Sequence, residues 1–94
     1  MNIEFRASKS GLETCFCNNL PLNSNYNPEK EAEKFVDGIS CNYEPRNIII
    51  TGPCLPYLTK YLAKKFPKAN LIAIQYSKCF EKYDSLWKKV FLVN

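Results

Sequence analysis

The residues with the clearest chemical potential form a turn between two apolar segments. Residues 47–51, NIIIT, are followed by Gly52, and a helical pattern begins near Pro56. A glycine turn that leads from a strand into a helix can present backbone N–H groups to an anion such as a phosphate. Gln75 ends the next apolar segment, 23 residues after Gly52. Nucleotide-binding units usually carry an acid there for the ribose hydroxyls, so the spacing indicates a crevice of the nucleotide-binding type.

In this sequence both ligand contacts of such a crevice are weakened: the backbone N–H groups for a phosphate and the acidic side chain for a ribose. Pro53 and Pro56 have no N–H to offer, and the side chains of Cys54 and Leu55 add bulk where close approach is needed. Gln75 can accept only a neutral hydrogen bond, whereas a charge-assisted bond to a carboxylate is roughly twice as strong. We therefore expect that the chain alone does not bind nucleotides or S-adenosylmethionine tightly.

Other reactive groups are few. The sequence contains no histidine, which excludes Ser-His, Cys-His and imidazole acid–base chemistry. The five cysteines are odd in number and lack the paired spacing of a zinc site, although Cys15-x-Cys17 could seed one. We expect reduced, partly buried thiols, no metal site and no bound cofactor. The cysteines are Cys15, Cys17, Cys41, Cys54 and Cys79.

Length and composition set the class of protein. A chain of 94 residues allows one small domain, and a hydrophobic share of 46% favours a compact core over disorder. Residues 1–46 hold seven acids and five bases, a balance of −2, while residues 47–94 hold eight lysines and two acids, a balance of +6. Lys60, Lys64 and Lys68 share one helix face, which is either simply solvated or mildly attractive to phosphates. We do not expect nucleic-acid binding.

Neither a membrane segment nor a leader is indicated by the sequence. No apolar run approaches 18 residues, and residues 1–11 carry charge throughout with no apolar stretch of the signal-peptide type. We expect no membrane association and a cytoplasmic location.

The hydrophobic patterns predict two successive parts of one domain. Residues 2–8, 12–17 and 20–24 are short extended segments separated by turns at Ser10-Gly11 and Asn18-Asn19, which predicts an N-terminal β meander over 1–25. Residues 26–94 predict a small parallel, Rossmann-like three-layer unit, because strand, helix and strand in that order form a βαβ crossover. The fold class is therefore α/β.

Within residues 26–94 the boundaries follow from capping and periodicity. Asn27 is a predicted N-cap for a helix over 28–38, whose apolar face is Ala32, Phe35, Val36 and Ile39. The three isoleucines of strand 47–51 predict burial on both faces. A second helix is expected over 56–66 and a second parallel strand over 71–75, followed by a short helix and a third strand at about 89–93.

One segment carries a family resemblance. Residues 24–32, SNYNPEKEA, resemble the S-x-Y-x-P-x-x-E-A segment of the 6-hydroxymethylpterin diphosphokinase MptE-like proteins, a family that includes motility accessory factors of flagellin glycosylation. The resemblance covers roughly residues 12–93 and implies a Rossmann-like core after this segment. The family's turn is approximately G-x-G-x-G-Y, in which Gly52 and Tyr57 match while Cys54 and Pro56 replace glycines.

This resemblance assigns candidate ligand residues, some of which have a structural alternative. The candidates are Gly52, Cys54, Tyr57, Gln75, Ser24, Tyr26 and Glu31. Tyr26 and Glu31 could instead cap and pack the first helix, Asn27-Pro28 is first of all a helix start, and Gly52 is first of all a tight turn. No catalytic residue is indicated.

Two classes of function follow. The first is a non-catalytic, degenerate Rossmann-like module that acts in assembly or binds a nucleotide-like ligand weakly. The second is the N-terminal segment of a diphosphokinase or sugar-nucleotide-dependent transferase whose remaining active-site residues lie beyond residue 94. A small sheet leaves an edge unpaired, so we expect a second copy or a further domain to cover that edge together with Trp87 and Phe91.

Overall fold

The computed structural model describes residues 2–93 and begins with an antiparallel meander. Its strands are β1, Ile3–Ala7, β2, Glu13–Cys17, and β3, Leu20–Pro21, in that spatial order. Asn18 and Asn19 connect β2 to β3 with φ of 51° and 64°, the left-handed pair that a two-residue hairpin turn requires. β3 is shorter than the predicted segment 20–24.

The second part is a parallel unit. Helix α1, Pro28–Asp37, leads to β4, Asn47–Thr51, then α2, Tyr57–Lys65, and β5, Asn70–Gln75. A 3-10 helix, Lys78–Leu86, connects β5 to β6, Lys89–Leu92, and the sheet order is β4-β5-β6 with both pairings parallel. The predicted α/β fold, a meander followed by a small parallel unit, is confirmed. The two helices and three strands whose ends were predicted in residues 26–93 are each present within two residues of those ends.

Helix α1 begins where its sequence predicts. Asn27 is extended and its Oδ1 accepts a hydrogen bond from Lys30 N at 3.0 Å, while Pro28 occupies the first helical position. Glu29 and Glu31 lie in the first turn, near the positive end of the helix dipole. The helix ends at Asp37, before Gly38. Local chemistry therefore fixes the start of α1 without tertiary help.

The main core lies on one face of the parallel sheet. Val36 of α1, Leu62 of α2 and Ala73 of β5 are buried together, and both helices pack against this face. Leu62 and Phe66 are buried and Leu58 and Tyr61 are partly buried, as the predicted inward face of α2 requires. Trp87 is only 5% exposed and belongs to the same core, so the expectation that it needs an external cover is wrong.

The opposite face of the parallel sheet is bare in residues 2–93. We call this side of the sheet the open face. On it, Ile49 lies beside Ile72, and Ile74 lies beside Phe91. Ile49 is 58% exposed and Phe91 48% exposed. The prediction that β4 is buried on both faces is wrong, because both crossovers and α1 lie on the other side. Of the three expected layers, only the sheet and one helix layer are present in the described residues.

Two further predictions are corrected by side-chain positions. Phe35 was expected on the apolar face of α1 but is 55% exposed, while Ala32 and Val36 are buried as predicted. Cys41 and Cys79 are exposed rather than partly buried. Within residues 2–93 no helix is long and apolar enough to cross a membrane.

Candidate functional site

The turn after β4 is built on two left-handed residues. Gly52 has φ of 61° and Cys54 has φ of 60°. A Cβ on Gly52 would lie 3.3 Å from the ring of Tyr76, so both the backbone and the neighbouring side chain favour glycine here. Cys54 has a side chain and therefore adopts a conformation that costs roughly 1–2 kcal/mol for an L-residue. Such a turn needs external support to persist.

Gln75 supplies that support. Its side chain is buried, its Oε1 accepts a hydrogen bond from Cys54 N at 3.2 Å, and its Nε2 donates to Cys54 O at 3.1 Å. Both backbone polar groups of the left-handed residue are thereby satisfied by one side chain. Gln75 and Cys54, two predicted ligand residues, are brought together as a clamp on the turn.

The side-chain amide of Asn23 also supports the turn, through residues on either side of Cys54. Asn23 Oδ1 accepts from Leu55 N at 3.4 Å and from Cys15 Sγ at 3.2 Å, and its Nδ2 donates to Pro53 O at 3.4 Å. Sequence reasoning missed Asn23, because it lies 30 residues before the turn in a loop with no motif. Only the packing of the meander against the parallel unit brings it there.

The N–H groups of the turn are directed at protein acceptors rather than at an open crevice. Gly52 N donates to Ile74 O at 2.7 Å, while Cys54 N and Leu55 N bind the amide oxygens of Gln75 and Asn23. Pro53 and Pro56 have no N–H. An anion at this turn would have to displace two side-chain amides before it met a donor.

The meander packs against the segments that follow the carboxyl ends of β4 and β5. Cys15 of β2 is buried in one cluster with Leu55 of the turn and Phe80 of the 3-10 helix, and Phe5 packs against them. Tyr57 OH donates to Glu13 O of β2 at 2.5 Å, and its partial burial raises the pKa of the Tyr57 hydroxyl. Ligands of parallel α/β sheets bind in this crevice, and here Cys15 of β2 packs against the turn that borders it.

Ser24 and Glu31 form a helix-start network instead of a ligand contact. Glu31 Oε1 accepts from Ser24 N at 2.9 Å, and Ser24 Oγ accepts from Tyr26 N at 3.1 Å and from Asn27 N at 3.2 Å. The Tyr26 ring is 67% exposed and lies beneath Lys9 Nζ, 4.7 Å from the ring centroid. The contact of Glu31 with Ser24 N is of the kind that the capping alternative for Glu31 describes.

A cleft of about 280 Å³ remains between α1, the turn and α2. Three predicted residues, Glu31, Gly52 and Tyr57, line it, and the rest of the lining is mostly apolar. Neither lysine nor arginine is among the lining residues, so a phosphate in this cleft would meet the Glu31 carboxylate without a compensating cation. The cleft suits a small apolar group better than a nucleotide.

The two thiols of the site differ in pKa. Contact with Cys15 lowers the pKa of Cys54, against an opposing effect of burial, while the same contact and burial raise the pKa of Cys15. All five cysteines are free thiols. No cluster of three or more cysteine or acidic side chains able to hold a metal ion is found in the part of the chain that the structure describes.

Comparison with protein-family models, with curated proteins and with solved structures gives no match for this chain.

Proposed function

We propose that this protein is a non-catalytic Rossmann-like assembly module, a reduced relative of the MptE-like proteins, which dimerises through the open face of its parallel sheet. The open face carries the proposal, because parallel sheets are normally covered on both faces. Ile49 and Phe91 stay largely exposed there, and Ile72 and Ile74 are only partly buried.

The chemistry of the open face favours a second copy as the occupant. Among the paired residues of β4, β5 and β6, Lys89 of the edge strand β6 is the only charged one on the open face. Its Nζ lies 4.8 Å from the Phe91 ring centroid. A partner recognised by charge would need a pattern of charges on this surface. A two-fold related copy brings apolar surface against apolar surface and, with strands antiparallel across the interface, keeps the two Lys89 side chains apart.

The size of the open face predicts a reversible dimer. The three strands have five, six and four residues, which corresponds to a surface of roughly 14 by 17 Å. Two such faces with their side chains would bury on the order of 1,000 Å² in total, near the lower end of specific interfaces. Interfaces of this size are typical of weak, transient association. Added salt should strengthen it, because each copy carries a net charge of +4.

The occupied turn argues against the transferase alternative. A diphosphokinase or sugar-nucleotide transferase needs donors directed at phosphate, while here Gln75 and Asn23 already bind the N–H groups of Cys54 and Leu55. A role in assembly needs no such donors.

Sedimentation equilibrium over a micromolar concentration series tests the dimer. The wild-type chain should show a monomer–dimer equilibrium, and Phe91→Asp should shift it to monomer by placing a charge within the apolar contact. Phe35→Asp is a matched control, since Phe35 is similarly exposed but lies on α1, away from the open face. A wild-type monomer at every concentration, or equal effects of the two substitutions, would contradict the proposal.

A further inference from the structure

Two thiols from distant parts of the sequence meet beside the turn. Cys15 of β2 has no exposed surface, while Cys54 is partly exposed and packs against the cluster that contains Cys15. Cys15 also donates to Asn23 Oδ1 at 3.2 Å. One thiol of the pair is therefore reachable from solvent, and the other is held behind it.

The surroundings of Cys54 favour its thiolate. Contact with the Cys15 thiol lowers the pKa of Cys54, against an opposing effect of burial. The pKa of Cys15 is raised first by its contact with Cys54, next by burial, and further by the charges of Cys54, Glu13 and Cys79. The pair thus combines a partly exposed thiol of lowered pKa with a buried thiol of raised pKa.

We propose that Cys54 is a site of reversible oxidation by hydroperoxides and that Cys15 is the thiol that converts the product to an intramolecular disulfide. This inference is independent of the proposed dimer, because neither thiol lies on the open face.

The chemistry balances in two steps. The Cys54 thiolate attacks hydrogen peroxide, an S–O bond forms as the O–O bond breaks, and the departing hydroxide takes a proton to become water. Sulfur is thereby oxidised by two electrons to a sulfenic acid. Cys15 sulfur then attacks Cys54 sulfur, the S–S bond forms, and the hydroxyl leaves as water with the proton of the Cys15 thiol. Because the sulfenic acid is neutral, the thiolate charge that disfavoured ionisation of Cys15 is gone by then.

The resulting bridge would tie the meander to the turn. It would close a loop of about 40 residues across the buried cluster of Cys15, Leu55 and Phe80, and long closed loops restrict the unfolded chain most. Oxidation should therefore raise the melting temperature of the protein, and a thiol reductant should restore the original value.

Peroxide treatment of the reduced, purified chain followed by mass spectrometry tests the assignment. We expect a loss of two hydrogens and a peptide that links Cys15 to Cys54. In Cys15→Ala the Cys54 sulfenic acid should persist and be trapped by dimedone. Cys41→Ser is the control, since Cys41 is exposed and bonds only to Tyr43 O, and this variant should form the same bridge.

A second measurement separates a reactive pair from a merely adjacent one. The rate at which iodoacetamide modifies Cys54 should rise at a lower pH in the wild type than in Cys15→Ala. Oxidation spread evenly over the cysteines, a bridge that includes Cys79, or a pH profile unchanged by Cys15→Ala would overturn the proposal.

Discussion

The side-chain amide of Gln75 satisfies both backbone polar groups of Cys54, accepting from its N–H at 3.2 Å and donating to its carbonyl at 3.1 Å. A carboxylate at this position could accept from the N–H but would face the carbonyl with a second acceptor. The neutral amide, which is a poor ribose contact, is therefore well suited to holding a left-handed residue in place.

Removal of this clamp should destabilise the protein. Gln75→Leu leaves two buried backbone groups unpaired at a strained turn, for which we expect a loss of about 2–3 kcal/mol in the free energy of unfolding. Urea denaturation measures it. Asn70→Leu is the matched control in the same strand, because the Asn70 amide bonds to Asn47 Oδ1 at the exposed end, and its effect should stay within about 0.5 kcal/mol. Similar losses of unfolding free energy in both variants would contradict a specific stabilising role for the two hydrogen bonds between Gln75 and Cys54.

Nucleotides and S-adenosylmethionine should bind weakly or not at all. The N–H groups of Cys54 and Leu55 are occupied, Pro53 has none, and the adjoining cleft offers no cation. Isothermal titration calorimetry with nucleoside mono-, di- and triphosphates should give no dissociation constant in the micromolar range or tighter. Such a constant for any of them would mean that the turn opens to accept phosphate.

The start of α1 depends on one side chain. Asn27→Ala removes the hydrogen bond to Lys30 N and should cost about 1 kcal/mol of stability. Asn25→Ala provides the comparison, since the contact of Asn25 with Lys9 N uses its backbone oxygen. Thermal unfolding of the two variants should separate them clearly. Equal melting temperatures would contradict a capping role for Asn27.

Acid should weaken the contact between α1 and α2. Hydrogen bonds from Lys60 and then Tyr61 hold the pKa of Glu29 below its ordinary value. A carboxyl group whose pKa is lowered on folding stabilises the protein above its unfolded pKa, and this contribution disappears as the pH falls through the folded value. Glu29→Gln should therefore reduce stability at about pH 7 and have little effect near pH 2. The loss should be small because solvent screens the pair.

Glu33→Gln gives the reference for this pH dependence, because Glu33 lies on the same helix and is exposed. Chemical denaturation of both variants across the acid range is the measurement. A Glu29→Gln effect that is independent of pH would exclude a charge-based contribution.

The sequence by itself determined the elements and their order. Capping at Asn27 and Pro28, alternation in the meander and the apolar strand pattern are local signals, and each acts over a few residues. They therefore predicted the α/β fold and nearly all boundaries. They also located the turn at Gly52, because a glycine between a strand and a helix has a local conformational cause.

Tertiary structure decided which side of the sheet is covered and what the turn residues contact. Three isoleucines in β4 give the same pattern whether one face or two are buried, so the exposure of Ile49 depended on both crossovers lying on one side. Likewise, Asn23 and Cys15 reach the turn only because the meander folds onto it, across 30 or more residues of chain. Contacts of that range leave no periodicity in the sequence, since they join side chains whose spacing is set by packing alone.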